Sequence, residues 1–113
     1  MDRDRLYLRH ILEAIAAIEE FTQADRAGFL ADRKTQSAVI RQLEIIGEAV
    51  KRLSPQLTAA ETAVPWRLIA GARDRLIHGY FKVDLDAVWA MVEMDLPALR
   101  SNVERIAATR PDS

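Results

Sequence analysis

An arginine, a histidine and a tyrosine lie within one short segment, as Arg73, His78 and Tyr80. The guanidinium of arginine presents a fixed fork of donors that matches phosphate oxygens and is always charged. Histidine can carry a proton to or from a reacting oxygen near neutral pH. In RNA the 2′-hydroxyl supplies the nucleophile, so this pair suffices for phosphodiester transfer without a metal. The segment therefore predicts a site that handles phosphate.

Arg73 lies on the apolar arc of a predicted helix, where a charged residue is unexpected. At 100° per residue, the other members of this arc are Trp66, Ile69, Ala70, Leu76 and Ile77. A lone buried charge is costly, so the arginine needs a partner or a wet, polar cleft.

Each member of the set also has an ordinary structural interpretation. The stem of Arg73 can pack on the core while its head reaches water. His78 can satisfy carbonyls at a helix end, and Tyr80 can be a core aromatic.

Asp74 lies four residues before His78, on the same face of the predicted helix, where it could orient the imidazole. Ideal helix geometry instead separates Arg73 from His78 by about 140°. One chain would then have difficulty directing both side chains at one phosphate. Either the helix ends before His78, or two chains share the site.

Helices are the elements predicted to position this segment. Apolar residues recur at helical spacing in four stretches, residues 4–21, 33–53, 65–78 and 85–107. Phe29 and Leu30 are expected on a short helical turn, and residues 56–64 as a polar connection. The prediction is an all-α, antiparallel bundle of four to five helices in one domain spanning residues 1–113, with an ordered core over about 4–107.

Glycine, proline and aspartate mark details of these helices. Gly47, inside the second long helix, predicts close packing against a neighbour, since glycine there costs about 1 kcal/mol relative to alanine. Gly79 is placed to end the third helix. Pro97 should kink or split the last helix, with Asp95 as a second cap. Asp2 or Asp4 can cap the first.

Composition narrows the function classes. With 16 basic and 17 acidic residues, the formal net charge of −1 argues against coating long nucleic acid, although a local basic site remains open. The absence of cysteine excludes disulfides and thiolate metal sites, and favours a reducing compartment. No stretch is long and apolar enough for a membrane span, and no signal region follows the charged N-terminus. We therefore expect a cytoplasmic protein.

Other chemistries find little support. His10 is the only histidine besides His78, and two lone histidines without clustered carboxylates make a poor metal site. There is no glycine-rich phosphate loop. No metal or cofactor is therefore expected.

The pattern Arg73-x4-His78-x-Tyr80 resembles the R-x4-6-H-x-Y signature of HepT-like toxins, in the HEPN superfamily of small helical ribonucleases. Residues 32–36 and 43–51 are similar to that family's central helix, and residues 65–71 and 78–84 flank the motif as they do there. The resemblance covers about residues 4–107. Related nucleases often have Asn at the second motif position, where this chain has Asp74, which adds negative charge near the phosphate site.

The resemblance implies a homodimer in which the two motifs face each other across a cleft. It implies a metal-independent endoribonuclease, the toxin of a type VII-like toxin–antitoxin pair. Arg73 and His78 would be catalytic and Asp74 supporting. The partner would be an MntA-like nucleotidyltransferase antitoxin, which transfers AMP from ATP onto Tyr80. A charged nucleotide there would block the cleft and repel RNA.

Two other functions remain open from the residues alone. One is a non-catalytic helical dimer that binds a nucleotide or serves as partner subunit of a nucleotidyltransferase, an interpretation favoured by Asp74 and the near-neutral charge. The other is a purely structural dimerisation domain in which Arg73 reaches to solvent.

Overall fold

The computed structural model describes residues 3–23, 25–72, 74, 77–78 and 82–110, and of residues 77, 78 and 82 the backbone alone. In chain order the helices before the motif are α1 Arg3–Phe21, α2 Arg26–Ala31, α3 Arg33–Lys51, α4 Pro55–Ala60 and α5 Trp66–Ala70. The strands β1 Ile77–His78 and β2 Lys82–Val83 follow, and then α6 Leu85–Ala90, a π-helical segment Met91–Asp95 and α7 Leu96–Ala108. The predicted all-α fold is confirmed, with one small ribbon of strands added.

Three long helices supply the centre of the core. Their buried residues recur at helical spacing, so each helix turns one apolar stripe inward. The stripes are Leu8, Ile11, Ile15 and Ile18 on α1, Val39, Leu43, Ile46 and Val50 on α3, and Leu96, Leu99, Val103 and Ile106 on α7. None of the helices in the described ranges is long and apolar enough to cross a membrane.

A buried carboxylate joins α1 to the end of α3. Asp4 is 8% exposed, and its Oδ1 accepts from the Ser54 backbone N–H at 2.7 Å while its Oδ2 accepts from the Ser54 hydroxyl at 2.5 Å. Arg110 approaches Oδ2 at 3.4 Å. Ser54 Oγ in turn caps α4 by accepting from the Leu57 N–H at 3.2 Å. Asp4, expected as a helix cap, therefore lies inside α1 and holds α1 antiparallel to α3.

The chain between α3 and α5 differs from the prediction. Residues 56–64 were expected as a connection, but Pro55–Ala60 forms α4, with Ser54 as its N-cap and proline in its first turn. Leu57 is the buried residue of α4, and one apolar position does not produce a helical period in the sequence. The turn expected at Phe29 and Leu30 is α2, and α3 ends at Lys51, two residues earlier than predicted.

The third predicted helix ends early. α5 stops at Ala70, and the predicted helix to His78 is wrong because Ile77 and His78 form a strand. Gly71 is the C-cap, and its N–H donates to the carbonyls of Arg67 and Ile69. Ala72 and Asp74 are helical again. Gly79, the expected helix end, lies outside the described residues.

The final predicted helix is divided, as Pro97 suggested. The Leu96 N–H donates to the Met91 carbonyl five residues back, which makes the turn before Pro97 a π turn. A proline within a helix removes one backbone hydrogen bond and crowds the carbonyl four residues before it, and a widened turn accommodates both effects. Asp95 lies at the N-cap position of α7, as predicted, but its side chain makes no capping hydrogen bond.

α2 holds the start of α6. The rings of Phe29 and Trp89 lie 5.5 Å apart, and Phe29 is fully buried. At the surface, Arg26 Nη2 lies 2.7 Å from Asp86 Oδ1. Asp84 caps α6 by accepting from the Ala87 N–H at 3.0 Å. These contacts fix the chain immediately after β2.

Gly47 lies where α3 approaches α5 most closely. A Cβ at this position would lie 3.3 Å from the Ala70 carbonyl oxygen and 3.7 Å from that of Ile69. The first distance is tighter than an ordinary carbon–oxygen contact. The predicted close packing at Gly47 is thus confirmed, and the neighbour is the C-terminal end of α5.

We predict that Gly47→Leu lowers the free energy of unfolding by about 1–3 kcal/mol, because a side chain there must push α5 away from α3. Urea denaturation followed by circular dichroism measures the change. Gly71→Ala is the matched control, since its Cβ would meet the Arg67 carbonyl at an ordinary 3.5 Å. A Gly47→Leu protein as stable as the control would contradict the packing of α5 on α3.

Candidate functional site

The predicted catalytic segment lies between α5 and α6. Of its four candidate residues, Arg73 and Tyr80 lie outside the described residues, and His78 is described by its backbone alone. Asp74 is exposed, and its N–H donates to the Gly71 carbonyl at 3.1 Å. The segment is therefore positioned by α5 on one side and by the β1–β2 ribbon on the other.

The backbone of His78 is positioned by the antiparallel ribbon of β1 and β2. Ile77 pairs with Val83, and His78 pairs with Lys82. Residues 79–81 connect the two strands, and Tyr80 is the middle one. In sequence, Tyr80 therefore lies between the two paired strands, two residues after His78.

This arrangement corrects two predictions. Asp74 and His78 do not share a helical face, and the 140° separation of Arg73 from His78 no longer applies, because His78 lies in a strand. Of the two alternatives drawn from the sequence, the helix does end before His78. Sharing of the site between two chains stays a prediction.

A polar groove of about 360 Å³ lies along α3 beside Asp74. Its charged lining residues are Arg41, Glu44, Glu48, Lys51 and Asp74. Lys51 Nζ lies 3.6 Å from Glu48 Oε1. The Gly47–Ala70 contact forms part of the lining, so the close packing of the two helices shapes the groove. Three carboxylates face two cations here, which makes the described part of the groove slightly acidic.

An apolar groove of about 340 Å³ lies beside α5, whose Leu68 and Ile69 line it. Leu68 and Met94 line it and are 57% and 71% exposed. Ala72, the residue before Arg73, is buried in its lining. Asp95 and Asn102 supply polar groups. An apolar surface thus adjoins the motif.

Sequence reasoning missed the contribution of α3. Residues 41, 44, 48 and 51 share one face of the helix, and this spacing was visible in the sequence. Such a face is usually read as solvated, and only the contact between Gly47 and α5 shows that it lies beside the motif. Within the described ranges, no three His, Cys, Asp or Glu side chains are grouped so as to hold a metal ion.

A family model described as "Ribonuclease HepT-like" matches residues 11–106, a range that includes all four candidate residues. The chain belongs to the HepT-like ribonuclease family. The family resemblance carried by the motif and its flanking stretches is therefore confirmed. The individual roles of Arg73, Asp74, His78 and Tyr80 stay predictions.

Curated relatives agree with this placement. The chain is 48% identical over 101 residues to "Probable ribonuclease HepT" of Thermococcus cleftensis, which covers 88% of this chain and 92% of the relative. It is 40% identical over 107 residues to a candidate RNase of Caldanaerobacter subterraneus, covering 94% of this chain and 96% of that one.

A third relative carries the family domain in a longer protein. It is named for a gamma-glutamylcyclotransferase and a candidate RNase of Methanocaldococcus jannaschii, and is 42% identical over 103 residues. The match covers 90% of this HepT-like chain but 46% of the relative. No solved structure matched the chain.

Proposed function

We propose that this HepT-like protein is a metal-independent endoribonuclease whose active site combines Arg73 and His78. The observation that carries the proposal is the motif Arg73-x4-His78-x-Tyr80 within a full family match. The names of the relatives, which assign RNase activity to them, support it. RNA is the substrate.

The proposed reaction uses the RNA's own 2′-hydroxyl. Its oxygen attacks the adjacent phosphorus, the bond from phosphorus to the 5′-oxygen breaks, and a 2′,3′-cyclic phosphate and a free 5′-hydroxyl form. One proton leaves the 2′-hydroxyl and one reaches the leaving 5′-oxygen; His78 carries out one of these two transfers and water the other, so no proton is gained or lost overall. Arg73 binds the non-bridging oxygens, where negative charge accumulates.

Asp74 has a supporting role in this proposal. Its carboxylate is exposed at the acidic groove, one residue after Arg73. A negative charge there opposes phosphate binding at long range but can hold a guanidinium in place at short range. The net effect on the rate is set by how Asp74 and Arg73 are paired when RNA is bound.

A homodimer is the proposed assembly, with the Arg73–Tyr80 segment in its interface. The apolar groove beside the motif supports this, because Leu68 and Met94 are large, exposed side chains that a second copy would cover. In a two-fold dimer the two motifs would meet across one cleft.

We further propose that the protein is the toxin of a type VII-like toxin–antitoxin pair in the cytoplasm. Its antitoxin would be an MntA-like nucleotidyltransferase that transfers AMP from ATP to Tyr80. In the chain, Tyr80 lies between β1 and β2, two residues after His78, so a nucleotide on Tyr80 would be close in sequence to the proposed catalytic histidine. The added phosphate would repel RNA from the cleft.

A second candidate function is a non-catalytic dimer that binds a nucleotide or partners a nucleotidyltransferase. The groove carboxylates Glu44, Glu48 and Asp74 favour it, because they oppose the approach of a long polyanion. RNA cleavage by the purified protein in EDTA separates the two functions.

We predict that Arg73→Ala and His78→Ala each lower the rate of RNA cleavage by about 10²- to 10⁴-fold, through loss of the phosphate fork and of the proton carrier. Arg73→Lys should restore little, because a point charge does not replace a bidentate fork. Cleavage of labelled RNA in EDTA measures the rates, and Arg67→Ala, an exposed change on α5, is the control. Full activity in both folded alanine variants would refute the nuclease proposal.

We predict that Arg73→Ala and His78→Ala chains complement each other when unfolded together and refolded as a mixture. If one chain supplies arginine and its partner histidine, each mixed dimer has one intact site, and about a quarter of wild-type activity returns. Each variant refolded alone is the control. A mixture as inactive as the separate variants would show that each chain completes its own site.

We predict that Tyr80→Phe keeps the fold and escapes AMP transfer, since it removes only the acceptor hydroxyl. Intact-protein mass spectrometry after incubation with the cognate nucleotidyltransferase and ATP tests this. Wild type should gain mass in AMP steps and Tyr80→Phe should gain none. Tyr7→Phe is the matched control and should be modified like wild type. Equal mass gain on Tyr80→Phe and wild type would place the acceptor elsewhere.

A further inference from the structure

The apolar groove beside α5 has the size and composition of a small ligand site. Its volume of about 340 Å³ is at the lower end of the range for ligand pockets, which is about 300–1,000 Å³. Its lining includes Leu68 of α5 and two methionines, Met91 and Met94. The thioether of methionine makes favourable contacts with aromatic rings. The groove therefore suits one planar, aromatic group.

A π-helical turn forms one wall of this groove. Met91, Met94 and Asp95, all from the segment Met91–Asp95, line it. Single π turns inside α-helices are rare, and they occur frequently at functional sites. Pro97 accounts for the widened turn. It does not account for the placement of an exposed methionine and a carboxylate at the groove, where both are accessible to a ligand.

The carboxylate of Asp95 is free to bind a ligand. Asp95 is exposed, and within the described ranges no hydrogen bond or ion pair involves its side chain. Asn102, the other polar residue of this lining, is already held. Its Nδ2 donates to the Ala98 carbonyl at 3.0 Å, and its Oδ1 lies 3.4 Å from Arg105 Nη2. Of these two polar side chains, Asp95 is therefore the one that can recognise a ligand.

A carboxylate beside an apolar slot is complementary to guanine. The two carboxylate oxygens can accept two parallel hydrogen bonds. Guanine has two adjacent donors, N1–H and the N2 amino group, on its Watson–Crick edge, whereas the amino groups of adenine and cytosine adjoin an acceptor and uracil has a single N–H. Proteins recognise the bases of single-stranded RNA in this way, by contacts with the face of the base and hydrogen bonds to its edge.

The groove also lies next to the proposed catalytic segment. Ala72, which is buried in the groove lining, immediately precedes Arg73 in the chain. A nucleotide whose base occupies the groove would therefore have its phosphate close to the residue proposed to bind phosphate.

We propose that this groove is a base-binding subsite that selects guanine beside the cleaved bond, with Asp95 as the specificity-determining residue. Leu68 and Met94 contact the base, and the Asp95 carboxylate accepts from N1–H and from the N2 amino group. The inference rests on the proposed function, because it defines the RNA sequence at which that site cleaves. In the proposed homodimer, the second copy that covers Leu68 and Met94 would enclose the base as well.

The test uses the whole protein and short RNAs that differ at one base. Wild type should cleave beside guanine with a kcat/KM about 10- to 100-fold higher than beside adenine, cytosine or uracil, which is the usual discrimination from a two-bond contact to a base edge. Inosine, which lacks only the 2-amino group of guanine, should give an intermediate value. Asp95→Asn replaces one acceptor oxygen with a donor, so it should remove the preference for guanine.

Binding gives a second measurement that does not depend on cleavage. The same RNAs with 2′-O-methyl groups lack the nucleophile, and fluorescence anisotropy should give wild type the same order of affinities, with guanine first. Glu93→Gln is the matched control, because Glu93 is an exposed carboxylate of the same π turn that does not line the groove. It should keep the preference for guanine, and circular dichroism checks that both variants are folded.

Three results would overturn the subsite and leave the nuclease proposal standing. They are equal cleavage beside all four bases, a preference for another base, and a guanine preference that Asp95→Asn keeps. If Leu68→Ser converts a dimer to a monomer in light scattering while Asp95→Asn leaves the base preference unchanged, the groove is a dimer contact only. Wild type that neither binds nor cleaves RNA overturns both proposals.

Discussion

The contact between Gly47 and the end of α5 is the constraint on which the site depends. Backbone meets backbone there, because a Cβ on residue 47 would already lie 3.3 Å from the Ala70 carbonyl oxygen. α3 is itself fixed against α1 by the buried core and by the Asp4–Ser54 bonds. This close approach, together with the buried Trp66, sets the position of α5 and so the point from which the chain enters the motif.

This packing has an electrostatic consequence. Bringing α5 close to α3 places Asp74 beside Glu44 and Glu48, in a protein with a formal net charge of −1. Under the proposed function, long-range attraction would therefore contribute little to the binding of RNA, and short, directional contacts from guanidinium groups would have to supply the affinity. Arginine suits such a surface better than lysine, since its guanidinium can donate two hydrogen bonds to one phosphate while carboxylates lie nearby.

The sequence predicted the long helices, in which apolar residues recur at regular helical spacing. α1, α3 and α7 each present a buried stripe over several turns, and those stripes were readable from apolar spacing. α4 was missed because one buried leucine gives no helical period in the sequence. The end of α5 was missed because Gly71 looked like one more helical residue. The pairing of His78 with Lys82 depends on backbone hydrogen bonds, which side-chain periodicity does not encode.

The correction at α5 changes how the two halves of the motif relate. On one continuous helix, Arg73 and His78 would have been rigidly held and directed apart. Instead Arg73 follows α5, whereas His78 belongs to a ribbon that is held from the far side by α6, its Asp84 cap and the Phe29–Trp89 contact. The proposed mechanism would require these two separate supports to direct the arginine and the histidine at one phosphate, within one chain or across a dimer. In the same proposal, a nucleotide attached to Tyr80 would be carried by the connection between the two strands of this ribbon.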